Sequence, residues 1–342
     1  MCPAAATIIF RFGCRPASDP STGGGRVKLS LLIPFYNEER QIPLTLQTVL
    51  PILEATGCDF EVLLVDDGSR DGSWSVIADA SRSDERLVGI RFSRNFGKEA
   101  AICAALDQAD GDAVILMDGD LQHPPQHIPE MLRLWREGYD VVEGVKTSRG
   151  SESFFSRLNA TVFYGLFRRF SGYDLRNASD FKLLDRKVVD QWRLLGEHDT
   201  FFRGLSAWLG FKRTTFSFEV AERQAGTSKW SPFKLLALSL NAITGFSAMP
   251  LQFITLMGIV MLAGSLILAV QTLVNFFIGH AATGFTTVIL LLLLIGGSIM
   301  ISLGLIGMYI ARIFTEVKGR PRYIVAETTR PQAVEPPDCR DR

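Results

Sequence analysis

The sequence predicts an α/β protein in which a mostly parallel sheet is followed by a two-helix transmembrane hairpin. Three observations predict it. Between residues 27 and 146, short apolar runs alternate with helix-compatible stretches, the pattern of a parallel sheet covered on both faces. A polar cluster follows each apolar run. From Leu235 to Ala311 there is no Asp, Glu, Lys or Arg. Soluble domains carry about one charged residue in four, so a soluble fold does not produce such a gap.

The expected strands are VKLSLLIPFY (27–36), FEVLLVDD (60–67), RLVGIRF (86–92), DAVILMD (112–118) and DVVEGVK (140–146). GKEAAICAALDQA (97–109) and PQHIPEMLRLWREG (125–138) are helix-compatible segments between them. PFYNEE follows the first strand, DDGSRDGS the second, SRNFGKEAA the third, DGDLQHPP the fourth and KTSRG the fifth. Open α/β sheets bind ligands beyond the carboxyl ends of their strands, so one rim collects all five clusters. No GxGxxG follows the first strand, which argues against a dinucleotide-binding domain.

Asp118 and Asp120, separated only by Gly119, close the fourth strand. Like charges this close repel, and one carboxyl pKa should rise. A divalent cation removes the repulsion. Carboxylate oxygens are hard ligands suited to Mg²⁺ or Mn²⁺, which also hold phosphate oxygens. The glycine lets backbone approach a ligand closely. A surface turn also uses Asp and Gly; the position at a buried strand's end, among four other polar clusters, favours metal–diphosphate binding.

In the uncharged region, 251–278 and 286–311 are each long enough to cross hydrocarbon, which takes about 20 apolar residues. Lys229 and Lys234 precede the gap, and Arg312, Lys318, Arg320 and Arg322 follow it. Positive charge at both ends places both in the cytoplasm and requires an even number of crossings. The expected organisation is a flexible extension (1–26), an α/β domain bearing the polar clusters (27–230), an interfacial helix (231–246), two transmembrane helices (247–313) and a cytoplasmic tail (314–342). Segment 151–172 has an apolar face of Phe154, Leu158, Val162, Phe163, Leu166 and Phe170; it reads as an interfacial helix or as a core helix of the soluble domain. The N-terminus has no basic n-region or convincing cleavage site, so no signal peptide is expected. The tail after Glu327 reads as disordered.

Lysine plus arginine equals aspartate plus glutamate, 36 of each, which argues against a general nucleic-acid binder. The five cysteines are scattered without a CxxC pair; they suggest neither a zinc site nor a disulfide framework and fit a reducing compartment.

The segments IPFYNEE (33–39), VDDGSRDGS (65–73), SRNFGKEAA (93–101), DGDLQHPP (118–125), SDFKLLDRKVV (179–189), ERQAGTSKW (222–230) and RPRYIV (320–325) together resemble a family-2 glycosyltransferase of the Rossmann-like GT-A fold. More narrowly, they resemble the polyprenyl-phosphate glycosyltransferases, such as dolichyl-phosphate mannose synthases and bactoprenol glucosyltransferases. The resemblance covers about residues 28–326. It implies that Pro34, Tyr36, Asn37 and Glu38 line a nucleotide pocket and that Asp66 contacts the base. Asp118 and Asp120 would hold Mg²⁺ or Mn²⁺ and the diphosphate, with Gly119 and Gln122 beside them. Lys146 and Arg149, after the fifth strand, join the substrate-binding set. Arg223 and Lys229 would neutralise the diphosphate or the acceptor phosphate, and Asp180 stands where the family places a candidate catalytic carboxylate. His123 stands where the family often carries an acid.

The implied reaction moves a sugar from a UDP- or GDP-linked donor to a polyprenyl phosphate, with inversion, in an inner or plasma membrane. The acceptor oxygen is already anionic near neutral pH, so Asp180 is not expected to be an obligatory general base. Two spans leave room for a homo-oligomer. A processive polysaccharide synthase is an alternative, but ERQAGTSKW replaces its QxxRW and a two-helix hairpin offers little room for a channel. A non-catalytic membrane scaffold is another, against which the intact acids speak.

Overall fold

The computed structural model describes residues 26–146, 179–198, 200–218, 249–278 and 285–330. The apolar runs fold as the alternation predicts. Strand β1 (Lys28–Phe35) is followed by α1 (Gln41–Ala55), β2 (Asp59–Asp66), α2 (Ser73–Ser83), β3 (Leu87–Phe92), α3 (Lys98–Gln108) and β4 (Ala113–Leu116). Then come α4 (Ile128–Arg136), β5 (Val141–Lys146), β6 (Lys182–Asp185), α5 (Arg186–Arg193), α6 (Phe202–Trp208) and β7 (Arg213–Phe218). Helices α7 (Met249–Phe277) and α8 (Phe285–Val317) precede the last strand, β8 (Val325–Thr328).

All eight strands form one sheet in the order β7-β5-β6-β4-β1-β2-β3-β8. The central pairs β4–β1, β1–β2 and β2–β3 are parallel, as is β5–β7. Strand β6 runs antiparallel between β4 and β5, and β8 runs antiparallel along β3. The central strands are buried on both faces. Leu29, Leu31 and Ile33 pack with α1 residues Ile42, Val49 and Leu53 on one side. Leu32, Leu63 and Val65 pack with α3 residues Ala101, Ala104 and Ala105 on the other. Small alanines let α3 lie close to the sheet, which brings its first residue, Lys98, to the rim.

The C-terminal segment differs from expectation. Residues 325–328 fall within the stretch read as a cytoplasmic tail, yet they form the edge strand of the catalytic sheet. Tyr323 stacks on Phe92, with ring centroids 5.1 Å apart, and its hydroxyl donates to Asp107 at 2.8 Å. Glu327 accepts hydrogen bonds from Arg91 at 2.7 Å and the Trp74 indole at 2.9 Å. Strand β8 therefore covers an edge that would otherwise present unpaired amides. Because β8 is antiparallel, its first residue, Val325, pairs with Phe92 at the carboxyl end of β3. The chain leaving α8 thus joins the sheet at the rim that carries the polar clusters.

Helix α7 covers most of the first expected span, and α8 covers the second and continues past residue 313 to Val317. Within α8, Leu294–Val317 is the one helical stretch among the described residues long and apolar enough to cross a membrane, with a mean hydropathy of 1.9. A shorter apolar run, Ile254–Leu268, lies in α7. Leu262, Leu266 and Ile267 of α7 and Leu292, Leu294 and Met300 of α8 are exposed, an arrangement that water penalises and hydrocarbon does not. Glu316, near the end of α8, accepts the backbone N–H of His198 at 2.9 Å, which ties the helix to the catalytic domain. Segments 151–172 and 231–246, read as interfacial helices, lie outside the described residues.

Replacing Tyr323 with alanine removes a ring stack and a hydrogen bond from this docking. The expected cost is about 1–3 kcal/mol, seen as a lower melting temperature of the detergent-solubilised protein. Tyr323→Phe, which keeps the ring, should cost less than half as much. Equal melting of the wild type and the alanine variant would show that the segment carries no stability.

Candidate active site

The loops after β1, β2, β3 and β4 enclose a cleft of about 350 Å³ at the sheet's rim. Its walls include Pro34, Tyr36, Glu38, Asp67, Asn95, Lys98, Asp118, Gly119 and Asp120. Of the residues expected from sequence, Pro34, Tyr36, Glu38, Asp118, Gly119 and Asp120 meet there.

The turn that presents the two aspartates is tightly fixed. A Cβ on Gly119 would lie 2.3 Å from the Phe35 ring, so no larger residue fits without displacing that ring. The Gly119 carbonyl accepts a hydrogen bond from the buried Thr45 hydroxyl of α1 at 2.6 Å. Asp120 accepts the Gln122 N–H at 3.0 Å. Leu121 between them has φ 58, a left-handed conformation that costs about 1–3 kcal/mol for such a residue and marks a constrained site.

The loops after β1 and β2 interlock. Asn37, also left-handed at φ 53, receives the Arg70 N–H on its side chain and donates its own N–H to Ser69, both at 2.9 Å. Its side chain knits the two loops together beside the cleft. Glu39 accepts the Gly72 N–H and Asp71 the Ser73 N–H, both at 3.1 Å, which adds two further bonds to the interlocked loops.

Asp66 is fully buried below the cleft, and its neighbour Asp67 reaches the wall. One Asp66 oxygen accepts the Ser69 N–H at 2.9 Å. The other has no hydrogen-bond partner and faces Arg91 Nε at 3.6 Å. Asp67 accepts the N–H groups of Phe96 and Gly97 at 2.7 and 2.9 Å, which fixes the loop that delivers α3.

Sequence reasoning missed two cations, Lys98 and Arg203. Lys98 Nζ lies 2.6 Å from Asp118 Oδ1 and 2.6 Å from Asp180 Oδ2. Arg203 of α6 grips the same Asp180 through both oxygens, at 2.7 and 2.9 Å. Burial alone would raise the Asp180 pKa, but the Arg203 hydrogen bonds and charge, with Lys98, hold it far below the usual carboxylate range. Beneath them Lys182 is buried, donating to the Ser206 hydroxyl at 2.7 Å and lying 3.4 Å from Glu143. Only the N-terminal position of Lys98 in an apolar helix, inside the quoted SRNFGKEAA, hinted at its role.

The expected carboxylate repulsion is felt at Glu38. Its pKa rises to about 7, first through burial and then through the charges of Asp120 and Asp118. The donor set fits a divalent cation. Asp118 and Asp120 offer hard carboxylate oxygens on one lip, and no group of three or more His, Cys, Asp or Glu among the described residues is arranged as a complete cage. Mg²⁺ is commonly held in this way, by one or two carboxylates with substrate phosphates and water supplying the rest.

Lys146 ends β5; its side chain, together with Arg149, Arg223 and Lys229, lies outside the described residues. His123, at the position flagged as a departure, is buried and stacks on Phe181 with centroids 5.3 Å apart.

Glu99, next to Lys98, accepts the Phe202 N–H at 2.8 Å, and burial lifts its pKa to about 7. Because this pKa is raised above its unfolded value near 4.5, the folded state binds the extra proton between about pH 4.5 and 7. Its contribution is present at low pH and is lost as pH rises through 7. Glu99→Gln should therefore gain stability relative to wild type between pH 5 and pH 8, measured by thermal melting. Parallel pH profiles would show that Glu99 titrates normally.

Residues 30–193 match the family model described as glycosyl transferase family 2. The chain is 40% identical over 304 residues to an uncharacterized glycosyltransferase, YkcC, of Bacillus subtilis, covering 88% of this chain and 94% of that protein. It is 36% identical over 306 residues to the SfII prophage-derived bactoprenol glucosyl transferase of Shigella flexneri, covering 89% and 99%. Among solved structures, a glucosyl-3-phosphoglycerate synthase from Mycobacterium tuberculosis, crystallised with Mn²⁺ and UDP, is similar with a TM-score of 0.44 and 22% identity, covering 64% and 78%.

Proposed function

Since the chain belongs to glycosyl transferase family 2, we propose that it is a hexosyltransferase moving a sugar from a nucleoside diphosphate to a polyprenyl phosphate. The observation that carries this reading is the 36% identity to a bactoprenol glucosyl transferase across almost the whole of both chains. That span includes the uncharged region as well as the catalytic sheet.

The cleft supports the same chemistry. Asp118 and Asp120 would hold Mg²⁺ or Mn²⁺, which when bound neutralises charge gathering on the departing diphosphate. Tyr36, Pro34 and Glu38 line the wall beside them. Asp66, with one buried oxygen unsatisfied, lies below this wall in reach of the role of base acceptor, either directly or through Asp67. Gln122 supports Asp120 through its backbone. Lys146, Arg149, Arg223 and Lys229 complete the set as basic groups for diphosphate or acceptor phosphate. Asp180 is committed to Arg203 and Lys98 and orients groups rather than removing a proton. Attack in line with the departing diphosphate inverts the anomeric centre.

A lipid acceptor keeps its chain in the bilayer, so the cleft has to meet the interface. Helix α8 supports this, since its chain rejoins the sheet at the cleft's own rim. In this reading α7 and α8 cross an inner or plasma membrane as a hairpin, with the catalytic domain and both termini cytoplasmic. Such a hairpin leaves room for homo-oligomers.

Purified full-length protein, a polyprenyl phosphate, Mg²⁺ or Mn²⁺ and a panel of UDP- and GDP-sugars should yield a glycosylated lipid detectable by mass spectrometry. Asp120→Asn should lower the rate by about 100-fold or more. Unchanged turnover in that variant would sink the proposed metal site, and transfer to a soluble acceptor alone would sink the lipid reading.

A further inference from the structure

Among the described residues, Lys98 is the side chain that touches both halves of the carboxylate cluster. Its ammonium lies 2.6 Å from Asp118 on the β4 turn and 2.6 Å from Asp180 just before β6. The loop before it is pinned by the two N–H bonds to Asp67, which places the first residue of α3 at the rim. The two contacts are not equivalent. Asp180 keeps Arg203 on both oxygens whether or not Lys98 is present. Asp118 Oδ1 has the ammonium at ion-pair distance but no hydrogen bond of good geometry.

We propose that Lys98 is a built-in counter-ion of the metal site: it holds Asp118 in the metal-free enzyme and yields it when the divalent cation arrives. Lys98 then stays on Asp180, at the wall of the cleft where the diphosphate lies. This inference rests on the reading that Asp118 and Asp120 form the metal site.

The physical case is one of matched charge. Glu38, Asp118 and Asp120 crowd one lip of the cleft, and without a counter-charge they repel one another. An ammonium at the rim offsets that repulsion. A divalent cation competes for the same oxygen and is repelled by the ammonium at short range, an effect that solvent screens at this part-exposed rim. Removing the ammonium therefore strengthens metal binding, whereas removing an ordinary structural support weakens it. Lys98 acts as a positioning residue, and the sign of the change in metal affinity separates the two roles.

The test is a Mn²⁺ titration of nucleotide-free, full-length protein in detergent, with free Mn²⁺ read by electron paramagnetic resonance. Wild type, Lys98→Met, Lys98→Gln and Asp120→Asn are compared, with melting curves to verify that each is folded. The expected result is that both Lys98 variants bind Mn²⁺ about tenfold more tightly than wild type, while Asp120→Asn loses binding. Unchanged or weaker binding in both Lys98 variants, with binding still lost in Asp120→Asn, overturns the counter-ion role and leaves the metal site standing. Wild-type binding by Asp120→Asn overturns the metal site itself.

Discussion

Acidic groups converge on one rim of a sheet, and the fold has to keep them there against their mutual repulsion. Glu38 comes from the loop after β1, Asp118 and Asp120 from the turn after β4, and Asp180 from the approach to β6. The parallel order of β4, β1, β2 and β3 brings their carboxyl ends to one side. Most of the local structure around the cleft then serves to hold charge. Arg203 and Lys98 neutralise Asp180, Lys98 neutralises Asp118, and Lys182 answers Glu143 below. Signs alternate from the buried sheet outward to the cleft. A buried ion left alone would cost several kcal/mol, so each member of the chain depends on the next.

The same rim receives the chain from α8. Residues 318–324 run from the end of that helix to β8, anchored by Tyr323 on Phe92 and by Glu316 on the His198 amide. Glu327 holds Arg91, and Arg91 faces the unsatisfied oxygen of Asp66. A short series of contacts therefore links the end of the apolar helix to the floor of the cleft. The sheet is connected to the two apolar helices twice, through the chain that enters α7 and through the sheet edge that β8 completes.

The central strands were legible in the sequence because burial on both faces leaves continuous apolar runs: LLIPF, EVLLV and AVILM each read as a strand without further context. Asp118 and Asp120 were legible for the opposite reason, since acids at the end of such a run need an explanation. Strands β6 and β8 were not. KLLD and VAET are four residues long, too short for a period to show, and their partners lie far away in sequence. Lys98 and Arg203 escaped for a related reason. Neither stands in a charge pattern of its own, and each acquires meaning only from Asp180, at separations of 82 and 23 residues. The repulsion expected of the pair shows at a third acid, Glu38, which is partly buried and faces both aspartates.

The state of Asp180 bears on the choice of nucleophile. A general base works best with a pKa near the operating pH and a free lone pair aimed at the proton. Asp180 has neither: burial is overridden by Arg203 and Lys98, and both its oxygens are already engaged. A neutral sugar hydroxyl would need such a base at the moment of attack. A phosphate monoester does not, since its oxygen is ionised before it enters the cleft. A site that spends its best-placed carboxylate on structure suits an acceptor that arrives as an anion. The demand then shifts from proton removal to holding two anions, donor and acceptor, close together.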